Sequence, residues 1–380
     1  MSNAAVASPV AEKYLRLHLC HDVGPIRIGH MLRELGGIDA VLGAGVALLS
    51  SVERIGGKTA EQIARGRDGG AAAAELARAG RRGVRVLCLE DAEYPAALKK
   101  IPDAPACLYV RGRLVRQDAL ALAIVGARRC TRYGAEQAER FGALAGSAGM
   151  TIVSGMARGI DGCAHRGALA AGARTIAVLG CGLNHLYPPD AHDLSLEIVE
   201  HGALLSELPM DVAPDAKNFP PRNRIISGLS MGVLVIEAAR RSGALITARL
   251  AVEYDRESFA LPGRVDSAAS QGCHELIQTG GAKLVWCLED ILDEFGATGR
   301  HLLAAAEPQE AAQPDGPALK LDAPEQAIVG ALQTDPMSVE ALCDVTGMAP
   351  AKVAAALTGL QLKGVVRREA GDVYSLRRRG

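Results

Sequence analysis

"ALAIVGAR", residues 121–128, sets five apolar residues in a row before a glycine and an arginine. A run that short, with no polar residue at alternate positions, fits a strand covered on both faces. The next stretch, "YGAEQAERFGALAGSAG" (133–149), has the length and composition of a helix. The alternation then repeats along the chain. "MTIVSG" (150–155), "RTIAVLGCG" (174–182), "ALLSELP" (203–209), "GVLVIEAAR" (232–240), "SFALPG" (258–263) and "AKLVWCL" (282–288) read as further strands. "CAHRGALAAG" (163–172), "DLSLEIVEHG" (193–202) and "ALITARLAVEYD" (244–255) read as the helices between them. Short buried strands alternating with helices predict an α/β fold, a parallel sheet with helices on both faces. The pattern is Rossmann-like and is assigned to a core at 86–296.

Composition agrees with such a core. Hydrophobic residues make up 49% of the 380, so a large interior is available. Lys and Arg number 42 against 43 Asp and Glu, so nucleic-acid binding requires a local patch rather than a global field. Nine cysteines are dispersed with no C-x-x-C pair. That pattern gives no support to a zinc ribbon or finger and reads as reduced thiols in a cytoplasmic protein. "MSNAAVASPVAEKY" lacks a basic start followed by an apolar run, so no signal peptide is expected. No long uncharged apolar stretch predicts a membrane span.

Residues 1–85 are expected to form a small all-α domain. "VGPIRIGHMLRELGG" and "RIGGKTAEQIARG" are glycine turns leading into amphipathic helices. They fit a helix-hairpin-helix or SAM-like unit and equally a plain helical packing domain. "GGKT" (56–59) is not a P-loop, because Val52 stands where the first glycine belongs. Residues 297–323, which take in nearly all of "EPQEAAQPDGPALKLDAP" (307–324), are expected to be a linker. In 324–380, "PEQAIVGALQ", "SVEALCDVTG" and "APAKVAAALTGLQLKG" give three helices, and "VVRREAGDVYSL" a hairpin turning near Gly371. Together they predict a winged-helix-like domain. Its third helix offers only Lys352, Gln361 and Lys363 to a ligand, which leaves DNA and protein as equal partners.

Ligands of open parallel sheets sit beyond the carboxyl ends of the strands. Those ends carry Gly126-Ala127-Arg128, the turn Ser154-Gly155-Met156-Ala157-Arg158-Gly159, Gly180-Cys181-Gly182, Ser242-Gly243 and Pro262-Gly263. Glycines beside arginines at helix starts predict a phosphate-binding face. Neither G-x-G-x-x-G nor the P-loop pattern occurs, so no nucleotide cofactor is expected. Ser154 is not in a nucleophile elbow, because position 152 is isoleucine. Asp161 and His165, four residues apart, are read as structural, with Asp161 holding the turn. No catalytic residue and no metal ligand are assigned. "KNFPPRNRIISGLS" (217–230) reads as a loop clustering Lys217, Arg222 and Arg224 with Phe219 and Asn223, charges for phosphates beside a ring for a base.

These motifs, "IVGAR", "SGMARGIDGCAH", "FPPRNRIISGLS", "SGALITARLA" and "ALPG" followed by "SQGCHELIQTGGAKLV", occur in the order seen in the DprA/Smf family of DNA-processing proteins, which the chain resembles over about 90–295. The resemblance implies a protein that binds and protects single-stranded DNA and loads the RecA recombinase onto it in natural transformation. It also implies a homodimer formed through the Rossmann-like core. Its phosphate site would fall on Gly126, Arg128, Ser154, Gly155, Arg158 and Gly159, with Lys217, Phe219, Arg222, Asn223 and Arg224 on the basic stretch. The alternative is a nucleotide hydrolase of phosphoribohydrolase type. Here Pro262-Gly263 runs into Arg264 and Val265, not the paired glycines, threonine and carboxylate of that pattern. Glu237 is the one acidic residue in place to substitute.

Overall fold

The computed structural model describes residues 6–67, 69–306, 321–333, 336–363, 365–368 and 373–376. Two compact units divide the chain, Met1–Glu307 and Pro308–Gly380. A nine-stranded sheet organises the first. Its strands are β1 (Val84–Cys88), β2 (Cys107–Gly112), β3 (Ala121–Val125), β4 (Thr151–Ser154), β5 (Thr175–Val178), β6 (Ala203–Ser206), β7 (Gly232–Val235), β8 (Glu257–Ala260) and β9 (Lys283–Leu284). They lie in the order β1-β2-β6-β5-β4-β3-β7-β8-β9. From β6 to β9 every pairing is parallel, and these seven strands are the seven apolar runs. At the other edge β1 and β2 pair antiparallel, so the sheet is mixed rather than wholly parallel.

Strand β3 shows why an unbroken apolar run was needed. Successive side chains point to opposite faces of a sheet. Ala121, Ala123 and Val125 enter one core, and Leu122 and Ile124 enter another. The first core is closed by α7 (Ala96–Lys99), α11 (Phe219–Leu229), α12 (Ala244–Glu253) and α13 (Gln271–Gln278), through residues such as Leu98, Ile225, Leu245 and Cys273. The second is closed by α8 (Arg132–Ser147), α9 (Ile160–Ala170), α14 (Glu289–Glu294) and α15 (Gly296–Ala306), through Phe141, Ala164, Ile291 and Leu302. The expected linker at 297–323 therefore begins as helix, because Leu302 has an apolar site to fill; residues 307–320 lie outside the described residues. α10 (His192–His201) covers the β5–β6 end.

Six helices precede β1: α1 (Pro9–His18), α2 (Pro25–Leu35), α3 (Ile38–Gly43), α4 (Val46–Ser51), α5 (Gly57–Gly66) and α6 (Gly70–Arg81). The Ser8 hydroxyl caps α1 by accepting from the Ala11 amide at 3.0 Å. His30 on α2 lies 3.2 Å from Glu53 and 3.8 Å from Glu34, joining α2 to the turn before α5. Leu15, Met31 and Ile63 of these helices share one core with Val86, Tyr109 and Leu179 of the sheet. Residue 85 falls inside β1, so the expected division at that point does not separate two cores.

The second unit contains α16 (Ala323–Ala331), α17 (Val339–Thr346) and α18 (Pro350–Leu362), with β10 (Met337–Ser338), β11 (Val366–Arg368) and β12 (Val373–Leu376) in the order β10-β12-β11. Three helices and a small antiparallel sheet are the expected winged-helix arrangement. Ile328, Leu342, Val353 and Leu360 form its core. Asp322 and Glu325 cap α16 reciprocally, each accepting the other's backbone amide at 2.9 Å. Lys363 is drawn onto Glu325 at 2.6 Å, which takes it from the cations expected on α18. The turn expected near Gly371 lies outside the described residues.

Candidate nucleic-acid interface

From β3 the chain steps outward through β4, β5 and β6, then returns to place β7 on the other side of β3. Loops leaving β3 and β7 diverge, and a crevice opens at this switch point. A cavity of about 320 Å3 lies there, lined among others by Gly126, Arg128, Asp161, Phe219, Arg222 and Asn223.

Its floor holds a buried cation and a buried carboxyl, Arg222 and Asp161. Arg222 is buried on α11 and donates to the carbonyls of Gly155 (2.8 Å) and Val178, while its Nε has no partner. Burial lowers its pKa to about 10, so it stays charged at neutral pH. Asp161 supplies the opposing charge. Burial pushes its carboxyl up and Arg222 pulls it back, and its Oδ2 accepts the Ala157 amide at 3.3 Å. Gly155 has no side chain because a Cβ there would stand 2.4 Å from the Arg222 guanidinium. Gly159 combines a positive φ of 78° with a Cβ position 2.3 Å from the Ala127 carbonyl oxygen.

The rim is aromatic and cationic. The Arg128 guanidinium is exposed and lies 5.0 Å from the Phe219 ring centroid, and Arg222 lies 6.0 Å from it. Tyr187, 39% exposed, sits 5.5 Å from Phe219 in a tilted arrangement. A base stacking on Phe219 must share the ring with Arg128 or displace it. Asn223 lines the cavity and donates to the Gly243 carbonyl at 3.3 Å.

Several expected ligands are spent elsewhere. "KNFPPRNRIISGLS" is not a loop: 216–218 make one 3-10 turn, and Phe219–Leu229 is helical. A helix turns about 100° per residue, so Arg222 and Arg224 point to nearly opposite sides. Arg224 is buried against Glu207 (2.6 Å) and Asp103 (3.3 Å), away from the crevice. Ser154 is fully buried and donates to the Ile124 carbonyl at 2.6 Å. Arg158 is exposed but pairs with Asp190 at 3.1 Å beside a separate cavity. Lys217 is exposed and pairs with Asp215 at 3.1 Å, next to Ala216 of the cavity lining.

His165 is structural. It is fully buried, its pKa is lowered by burial to about 3, and it stays neutral. The Thr175 hydroxyl gives its proton to the Ile152 carbonyl (2.8 Å), so His165 Nδ1–H donates to that hydroxyl at 2.6 Å. Glu237 is committed as well. Its carboxylate accepts the Thr131 amide (2.9 Å) and hydroxyl (2.5 Å), fixing the start of α8. It does not line the crevice.

Four residues escape the sequence reading: Tyr187, Arg129, Arg240 and Arg241. Tyr187 stands far from Phe219 in the chain and meets it only in the fold. The doublets Arg128-Arg129 and Arg240-Arg241 leave neighbouring strands β3 and β7, and all four side chains are exposed with no ion pair among the described residues. Two RR doublets at the ends of apolar runs were a legible signal.

A family model described as "DNA recombination-mediator protein A" matches residues 85–296, more than half of the chain. The chain belongs to the DprA/Smf family. A second model, the DprA winged helix domain, matches 309–372. Protein Smf of Escherichia coli is 42% identical over 286 residues, 75% of each chain. Protein Smf of Synechocystis is 34% identical over 93% of this chain and 96% of its own. Among solved structures, DNA processing protein A of Streptococcus pneumoniae aligns with a TM-score of 0.62 and 34% identity, covering 77% of this chain and 97% of that one. The Helicobacter pylori member, whose structure describes a single-stranded DNA binding mode, aligns at 0.50 and 32% identity over 56% of this chain and 95% of that one.

Proposed function

We propose that this chain is a cytoplasmic single-stranded DNA-binding protein that protects the strand and loads a RecA recombinase onto it during transformation or recombination. The switch-point crevice carries the reading: a buried Arg222 beneath a Phe219 ring that Arg128 covers, beside exposed Arg129, Arg240 and Arg241. Cations for phosphates next to a ring suited to a base are what sequence-tolerant strand binding requires. The site we assign comprises Gly126, Arg128, Phe219, Arg222 and Asn223, with Lys217 at its margin and Gly155 and Gly159 as its scaffold. The likeness to the Helicobacter pylori protein supports the ligand class. Trp286, 68% exposed beside the two-residue edge strand β9, supports a homodimer through the core.

Binding without catalysis is part of the proposal, and it rests on Glu237 being held by Thr131. The test is an anisotropy titration of single-stranded oligonucleotides at several salt concentrations. Arg128→Ala should weaken all sequences alike and reduce the magnitude of the salt slope by about 0.7, one single-strand phosphate contact. Unchanged binding would remove the crevice from the function. Release of base from nucleoside monophosphates, abolished in Glu237→Gln, would establish the hydrolase instead.

A further inference from the structure

We propose that a second, phosphate-gripping subsite lies one loop away from the crevice and extends the single-strand track; this rests on the reading above. Four cationic or titratable nitrogen side chains distant in sequence converge there. Arg82 follows α6, Arg111 lies on β2, His185 is in the connection between β5 and α10, and His192 opens α10. They line a cavity of about 240 Å3 with leucines, including Leu179 and Leu204, and no carboxylate among its lining residues. Neither the Arg82 nor the Arg111 guanidinium has an ion pair or hydrogen bond among the described residues. The neighbouring carboxylate, Asp211, is already engaged by Asn184 Nδ2 at 2.6 Å and by Arg78 at 3.4 Å. In a chain of formal net charge -1, arginines left without counter-ions around a concave site favour an anionic ligand.

The ligand class follows from what joins the two cavities. His185 and Leu186 line the second, and the next residue, Tyr187, is exposed and packs 5.5 Å from Phe219 of the first. One short segment thus carries a ring next to the crevice and a wall of the arginine cavity. A strand whose base stacks at Phe219 crosses Tyr187, and its following phosphates reach Arg82 and Arg111. Apolar floor and cationic rim suit a nucleotide chain, which offers bases to one and phosphates to the other.

Oligothymidylates from about 5 to about 25 nucleotides, titrated at several salt concentrations against the full chain, test this. The unaltered protein should bind the long strands more tightly than the short ones. The Arg82→Ala/Arg111→Ala variant should lose most of that gain while keeping short-strand affinity. Its salt slope on long strands should fall in magnitude by about 1.4, two contacts at about 0.7 each. Arg82 is exposed, so Arg82→Glu preserves the fold and should lose part of the gain alone. Wild-type binding of long strands by both variants would overturn the subsite, as would an equal loss on short and long strands. Failure of the unaltered chain to bind any oligomer is a separate outcome and would remove the crevice reading itself.

Discussion

At the scale of single residues, burial separates two arginines that the sequence presents as equivalents. Arg128 is exposed over Phe219, whereas Arg222 is buried against the Gly155 and Val178 carbonyls. Removing the guanidinium leaves those buried carbonyls without their donor, which costs about 1–3 kcal/mol. Arg222→Ala should therefore lower the thermal midpoint as well as strand binding, and Arg128→Ala should lower binding alone; calorimetry beside anisotropy reads the difference. His165 gives the pH dependence. Its folded pKa of about 3 lies below the ordinary 6.5, so below about 6.5 the unfolded chain takes up a proton that the folded chain refuses. Its contribution is lost progressively as pH falls from about 6.5 towards 3, by about 1.4 kcal/mol per unit. Denaturant titrations at about pH 7 and pH 5 should show about 2 kcal/mol less of this acid sensitivity in His165→Asn than in the unaltered chain. Equal sensitivity in the two would contradict a neutral buried imidazole.

At the scale of elements, the close contact of α8 with α9 explains the glycine and alanine content. A Cβ at Gly167 would stand 2.1 Å from the Glu139 carbonyl oxygen, which as backbone cannot swing away. Gly167→Ala must push the helices apart, and overpacking of this kind costs about 1–3 kcal/mol. α9 begins directly after the 154–159 turn, so the displacement should also weaken strand binding; a fall in thermal midpoint without any loss of affinity would show that the turn is decoupled from the helix. Helices α8 to α10 and α12 were legible because their segments have helical length and lie between unmistakable strands. α11 was not, because prolines and charges at 217–224 imitate a loop; yet Pro220 and Pro221 fall in the first turn, where proline is tolerated.

At the scale of the molecule, the first unit contains the crevice, the arginine cavity and all three of the cores described for the sheet. A chain ending after residue 306 should fold and bind single strands within about threefold of the full length, a difference of about 0.65 kcal/mol. A large loss of affinity would transfer part of the function to the winged helix, whose α18 offers little charge once Lys363 is paired with Glu325.

The sequence by itself determined the seven parallel strands, the helices between most of them, the winged helix and the family. The strands rest on local apolar runs and their spacing, since such runs bury on both faces of a sheet wherever the chain goes, and the family rests on motifs met in order along the chain. Only the tertiary structure decided which charges are available. Arg224 and Ser154 carry the same chemistry as the residues proposed for the crevice, but partners distant in the chain, Asp103, Glu207 and Ile124, consume it. β1 and β2 were hidden for the same reason, since their pairing with one another and with β6 is a matter of distant neighbours. A side chain's type is written in one position; whether its charge is spent depends on what the fold brings beside it.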